Sequence, residues 1–170
     1  MKKKTLKTAE RVEHTFGPFV FREAEILILG SIPSPKSREL GFYYGHPHNR
    51  FWKVLARVFK EDEPLTVDER KKFLVKHKIA LWDVVESCDI HGASDATIRN
   101  AVPTDVAGKI KGTKIKRIFT TGKTAHKLLI KLQGIDSVPL PSPSPANCAV
   151  STEELIKAYS EALARFANIN

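Results

Sequence analysis

Residues 26–52 read ILILGSIPSPKSRELGFYYGHPHNRFW, and this stretch decides the fold. Positions 26–29 form an unbroken apolar run, as expected of a strand covered on both faces in a parallel sheet. The run ends at Gly30-Ser31, with Pro33 and Pro35 close behind. Tyr43-Tyr44 and His46-Pro47-His48-Asn49 follow, and Phe51-Trp52 open a helix. An aromatic pair, a neutral amide and a Gly/Pro-shaped backbone suit the gripping of a flat heterocycle. They suit metal binding or attack on a carbonyl much less.

The rest of the chain repeats the strand-then-helix order, which predicts an α/β fold with a parallel sheet. Phe51, Leu55, Val58 and Phe59 fall on one helical face. Thr66 and Glu69 have capping-box spacing, so a helix starts there and ends near His77. Positions 79–85 read as a second buried strand and 114–120 as a third, whose turn at Thr121-Gly122 feeds a helix with the core stripe Ala125, Leu128, Leu129 and Leu132. Positions 138–140 make a short fourth strand. Prolines at 139, 141, 143 and 145 rule out helix in the next segment. Ser151 and Glu154 form another capping box, ahead of a helix whose apolar face is Leu155, Tyr159, Leu163 and Phe166. Loops leaving the carboxyl ends of parallel strands build the ligand crevice. The loops after Leu29, after Val85 and at the Pro/Ser segment are therefore expected to converge.

At 170 residues the chain reads as one domain, with positions 1–12 a flexible basic terminus. It is long enough to bury roughly two thirds of its unfolded surface. No apolar run approaches the roughly 20 residues of a membrane span, and no apolar segment follows the basic Met1-Lys2-Lys3-Lys4. Two cysteines, Cys88 and Cys148, are too few for a disulfide framework and read as reduced thiols. The expectation is a cytoplasmic, nucleoid-associated monomer. The net charge is +9. Lys109, Lys111, Lys114, Lys116, Arg117, Lys123, Lys127 and Lys131 stand against Asp105 alone between positions 104 and 131, a local balance of +7. Such a surface favours polyanions, because bound phosphates release condensed counterions.

Several site types are weak. Gly122-Lys123-Thr124 lacks the upstream glycine of a nucleotide-triphosphate loop, since position 117 is Arg117. It remains a helix start able to hold a phosphate on free backbone N–H groups. Cys88 and His91 give one Cys-x-x-His spacing, and His46 and His48 complete no zinc pattern. No G-x-S-x-G elbow is present, and nothing ties Ser31 to a base. Phe51 and Trp52 read as core. Tyr44 lies in a Gly-flanked loop, where aromatics more often meet ligands. Asn49 either caps the helix that follows or holds a water or a base edge.

The chain resembles the uracil-DNA glycosylase superfamily, closest to the hypoxanthine-DNA (deoxyinosine) branch and near the mismatch-specific uracil branch. The resemblance runs from about position 26 to 166. It is carried by Gly30-Ser31-Ile32-Pro33-Ser34, by Tyr43-Tyr44-Gly45-His46-Pro47-His48-Asn49-Arg50-Phe51-Trp52, and by Leu140-Pro141-Ser142-Pro143-Ser144. It implies a three-layer α/β/α sandwich around a short, mostly parallel sheet. It implies a DNA partner bearing a deaminated base, which is flipped out and cut from its sugar, with no cofactor and no metal. The mismatch-specific branch positions its attacking water with an Asn where this chain has Ile32. The deoxyinosine branch lacks that group and uses an Asn further along, which points to Asn49. By the same resemblance, Gly30, Ser31, Ile32, Pro33, Tyr44, His46 and Ser142 form the base pocket. Ser144, Pro145, Ala146 and Asn147 enter the DNA, and Ser34 and Lys123 meet phosphates. The final motif departs from the family's Asn-Pro-Ser-Gly-Leu, since Ser142 and Pro145 replace its Asn and Gly.

These roles imply a dissociative displacement at the sugar, with backbone N–H groups after Gly30 facing the charge on the departing base. A neutral amide places water but is a poor base, so a flat pH profile near neutrality is expected. No lysine stands out as a Schiff-base nucleophile, which implies monofunctional cleavage to an abasic site.

Overall fold

A computed structural model describes residues 8–164 and 166. The first element is β1 (Glu10–Glu13), followed by β2 (Ile26–Gly30), α1 (Pro35–Leu40), α2 (Phe51–Phe59), α3 (Val67–Lys76), β3 (Ile79–Asp83) and β4 (Val85–Ile90). A 3-10 turn at Asp95–Thr97 leads to β5 (Arg99–Pro103), α4 (Val106–Ile110), β6 (Arg117–Thr121), α5 (Lys123–Gln133), β7 (Val138–Leu140) and α6 (Thr152–Leu163).

The central sheet is four-stranded and parallel, in the order β3-β2-β6-β7. Every residue of β2 and β3 is buried, as a sheet with helices on both faces requires. This is the expected three-layer α/β/α arrangement. Phe51, Val54, Leu55 and Val58 of α2 are buried at helical spacing, and α2 packs against α6. Full burial of a side chain such as Phe51 stabilises by roughly 1.5–3 kcal/mol. Both capping boxes form: Thr66 with Glu69, and Ser151 with Glu154.

The structure corrects four expectations. Positions 79–85 are not one strand. The chain leaves the parallel sheet at Asp83, and from Val85 it runs through an antiparallel sheet of order β1-β4-β5. The N–H groups of Val84 and Val85 bond to the carbonyls of Gly30 and Ser31, which anchors the crossover (2.9 and 3.0 Å). Val85, Cys88 and Ile90 are the buried residues of β4, a strand with one covered face whose pairing with β5 shifts register on either side of Ser87. Secondly, positions 10–12 are not a flexible tail, since Glu10–Glu13 pairs with β4; positions 1–7 lie outside the described residues. Thirdly, the third strand starts at Arg117 instead of 114, because the N–H groups of Lys114 and Lys116 bond to the carbonyls of Arg22 and Glu25. Lastly, α6 ends at Leu163, and Phe166 packs beyond it against Phe119 (6.0 Å between ring centroids). In α5, Ala125 and Leu129 are buried while Leu128 and Leu132 are only partly so. Among the described residues no helix is long and apolar enough to cross a membrane.

Candidate active site

The parallel strands end together at one edge. Gly30 is registered with Asp83, and Thr121 with Leu140. Because β3 lies on one side of β2 while β6 and β7 lie on the other, the sheet changes direction between β2 and β6. A crevice opens at such a switch point. Here it has a volume of about 480 Å³. Gly30, Ser31, Ile32, Pro33 and Ser34 line it from the loop after β2, and Tyr44, His46 and Asn49 from the loop before α2. Lys123 enters from the start of α5, and Ser142, Ser144, Pro145, Ala146 and Asn147 from the loop after β7. All the residues assigned from sequence thus meet at one cleft. The expected third loop differs. The chain after Val85 continues as β4, and the segment that reaches the cleft is Gly92–Asp95 beyond it.

Gly30 sets the floor. A Cβ there would lie 2.6 Å from Asp83 Oδ1, 3.5 Å from the Tyr44 hydroxyl and 3.7 Å from Thr121 Oγ1. The missing side chain lets a carboxylate, a phenol and a hydroxyl close in on the backbone. Tyr44 adopts a left-handed conformation (φ 52°) and lies flat on Phe51, with 3.8 Å between ring centroids and 15° between planes. Its hydroxyl shares a hydrogen bond with Thr121 Oγ1 (2.9 Å). Phe51 is fully buried, whereas Tyr44 lines the cleft. Burial and the nearby Asp83 charge hold the phenol neutral, well above its usual range, against the Thr121 hydrogen bond.

Asn49 stands where both sequence readings place it. Its Oδ1 accepts the Phe51 N–H at the start of α2 (2.9 Å), and the residue lines the cleft. Ile32 is nearly buried and gives that wall an apolar surface. Ser34 caps α1, accepting the Ser37 N–H (3.2 Å). His46 Nδ1 accepts the His48 N–H (3.0 Å).

The Pro/Ser loop is braced from within and from below. Ser142 Oγ accepts the Ser144 N–H (3.2 Å), and Asn147 Nδ2 donates to the Ser142 carbonyl (2.9 Å). Arg50 donates to the carbonyls of Ser144 (3.3 Å), Asn147 (3.0 Å) and Val150 (2.6 Å). Tyr159 of α6 donates to the Pro141 carbonyl (2.8 Å).

Sequence reasoning missed three titratable residues. Asp83, at the end of β3, is paired with His14 (Nε2 to Oδ2, 2.7 Å), and both side chains are buried. Burial opposes protonation of His14, but the hydrogen bond and charge of Asp83 outweigh it, so the imidazole titrates above its usual range. Asp95 opens the 3-10 turn and accepts a hydrogen bond from Ser31 Oγ. Burial raises the Asp95 carboxyl above its ordinary value; Ser31 opposes the rise and Asp83 adds to it. One signal was available. A carboxylate closing the run Ile79–Asp83 is costly unless a partner meets it.

Lysine placement also differs from the expectation of one phosphate-tracking surface. Lys109, Lys111, Lys114 and Lys116 precede β6 and so lie toward the edge opposite the cleft, where Lys114 pairs with Glu23. Lys123 is the member of that segment that lines the cleft, joined there by Arg38. Among the described residues no group of three or more His, Cys, Asp or Glu is placed to hold a metal.

An aromatic ring, an amide and a braced proline loop thus meet in one cleft at the switch point. The family model for the uracil DNA glycosylase superfamily matches residues 18–164, and the chain belongs to that superfamily, whose members are glycosylases acting on DNA. Among its relatives, a hypoxanthine DNA glycosylase of Methanosarcina acetivorans is 31% identical over 140 residues, covering 80% of this chain and 89% of the relative. Another hypoxanthine DNA glycosylase, from Methanosarcina barkeri, is 32% identical over 136 residues, covering 78% and 86%. A solution NMR structure of a candidate uracil DNA glycosylase from M. acetivorans superposes with a TM-score of 0.72 at 28% identity, covering 89% of this chain and 98% of that one.

Proposed function

We propose that the chain is a monofunctional DNA glycosylase that excises a deaminated base, hypoxanthine foremost, from DNA in the nucleoid, acting as a monomer. The observation that carries this is the meeting of Tyr44, Asn49 and the Pro/Ser loop at one cleft. The names of the two Methanosarcina relatives support the choice of hypoxanthine.

The reacting C1′–N bond is out of reach inside the base stack, so the nucleotide must be extruded. Pro145, Ala146 and Asn147 fill the gap it leaves. A loop already tied down at Arg50 loses little freedom on insertion. The flipped base stacks on the face of Tyr44 turned away from Phe51, a contact worth about 1–3 kcal/mol. Asn49 holds the attacking water beneath C1′. Lys123 and Arg38 hold the flanking phosphates.

Duplexes carrying one inosine, uracil, xanthine or ethenoadenine test the proposal. After incubation, alkali cleaves any abasic site, and free deoxyinosine serves as the control. Strand cleavage at inosine is the expected result. Preference for uracil would move the chain to the mismatch-specific reading. Hydrolysis of the free nucleoside, or no cleavage at any lesion, would overturn the proposal. Ile32 favours one second reading, a binding module of the same fold, because an apolar side chain cannot hold water where the mismatch-specific branch does. That module would bind these duplexes and cut none.

A further inference from the structure

A cleft that accepts a polyanion has no electrostatic reason to hold two carboxylates, and this one holds Asp83 and Asp95. Their surroundings differ. Asp83 is engaged by the His14 imidazole. Asp95 is met by a neutral hydroxyl, Ser31 Oγ. It is also held in place, since the 3-10 turn it opens is closed by the Ile98 N–H on its own carbonyl (3.1 Å).

We propose that Asp95 is the general acid of the reaction, delivering a proton to a ring nitrogen of the departing purine, with Ser31 as its positioning residue. The inference rests on the glycosylase reading above and deepens it. As the C1′–N9 bond breaks, its electron pair passes to the purine. The Asp95 proton moves onto N7 or N3, so the base leaves neutral and Asp95 becomes a carboxylate. Water adds to C1′ and loses one proton, which returns to Asp95 directly or through solvent. Asn49 cannot supply this proton, because an amide is not an acid in the working range.

The groups facing Asp95 favour this role. Asp83 on β3 disfavours a second negative charge, and burial does the same. Tyr44 is held neutral. Cys88 on β4 is buried and its thiol is pushed up, chiefly by burial, so it adds no charge there. Arg38 on α1 also lines the cleft, and its Nη1 donates to the Pro33 carbonyl (3.0 Å). Ser31 stabilises the carboxylate that the proton transfer leaves behind. Hypoxanthine carries a hydrogen on N1 and leaves N3 and N7 free to accept a proton, so a general acid suits this leaving group.

The test is single-turnover excision of hypoxanthine from about pH 5 to about pH 9, where carboxyl groups with raised values titrate. Wild-type excision should fall on the alkaline side, in place of the flat profile that a lone amide gives. Asp95→Asn keeps a hydrogen-bonding partner for Ser31 but has no acidic proton to give. It should lose about 10²–10⁴-fold in rate near neutrality and respond little to pH. Its affinity for a duplex with non-cleavable 2′-fluoro-deoxyinosine should stay within a few-fold of wild type. Ser31→Ala removes a donor that stabilises the carboxylate, so its alkaline fall should move to higher pH. A wild-type rate or an unchanged profile in Asp95→Asn would overturn the assignment. Loss of binding in step with rate would make Asp95 structural. If Asp95→Asn does not fold, an unshifted profile in Ser31→Ala overturns the proposal alone. Wild-type protein that cuts no deaminated base at any pH would instead sink the glycosylase reading itself.

Discussion

The guanidinium of Arg50 donates to the main-chain carbonyl of Asn147 at 3.0 Å, across 97 positions of sequence. Arg50 follows the proposed water-positioning amide, and Asn147 sits in the proposed DNA-inserting loop. The same guanidinium reaches Ser144 and Val150, so one side chain ties three points of the loop. Lysine has one ammonium and cannot reproduce this fan of planar donors. Arg50→Lys should lower stability by roughly 1.5–3 kcal/mol in denaturant unfolding, the scale of hydrogen bonds to a charged group. It should slow excision more than it weakens binding to undamaged DNA. Equal losses of both would remove the loop from the flipping step.

Asn49 combines a structural hydrogen bond with the proposed chemical role, and substitutions can separate them. Asn49→Ala should cost about 0.5–2 kcal/mol of stability through the lost cap and remove most of the excision rate. Asn49→Ser retains an oxygen for the Phe51 N–H and should regain much of the stability without the rate. Recovery of both in Asn49→Ser would reduce the residue to a cap. Thermal unfolding and single-turnover kinetics on the same preparations decide it.

The buried pair of His14 and Asp83 makes stability depend on pH. The folded imidazole titrates above its ordinary value, so its contribution is complete below about pH 6.5 and is lost as pH rises through the folded value. His14→Ala strands a buried carboxylate, at a cost of about 3–5 kcal/mol at the acidic end. The gap between wild type and His14→Ala in urea unfolding should narrow toward alkaline pH. A constant gap would mean that the imidazole is neutral throughout.

Salt dependence reports which cations meet phosphates. If Lys123 makes such a contact, Lys123→Ala should reduce the slope of log affinity against log salt by about 0.9. Lys114 is paired with Glu23 at the other end of β6, and Lys114→Ala should leave the slope unchanged. The reverse result would place the DNA across the far edge of the sheet.

Much of this architecture was legible in the chain. A continuous apolar run at 26–29 requires cover on both faces, and β2 has it. Local side-chain chemistry marked both capping boxes, and Pro141, Pro143 and Pro145 marked the loop after β7. The second sheet was not legible, because 79–85 is as apolar as a strand that goes on. Of its partners, β1 is polar at three of four positions and β5 is exposed at four of five, so neither carries a buried-strand pattern. Residues of the 26–52 stretch announced themselves as neighbours in sequence. Asp83, Asp95 and His14 did not, since each gains its meaning from a contact 64 or 69 positions away. No short-range pattern encodes such distances.

Arg50 has a mechanical corollary. In the proposed reaction, penetration of the helix and placement of the nucleophile share the Arg50 tether, so neither adjusts freely without the other. An undamaged duplex that refuses to open would push back on the wedge and drag the amide off target with it. Fidelity would then be exercised before the base is ever inspected.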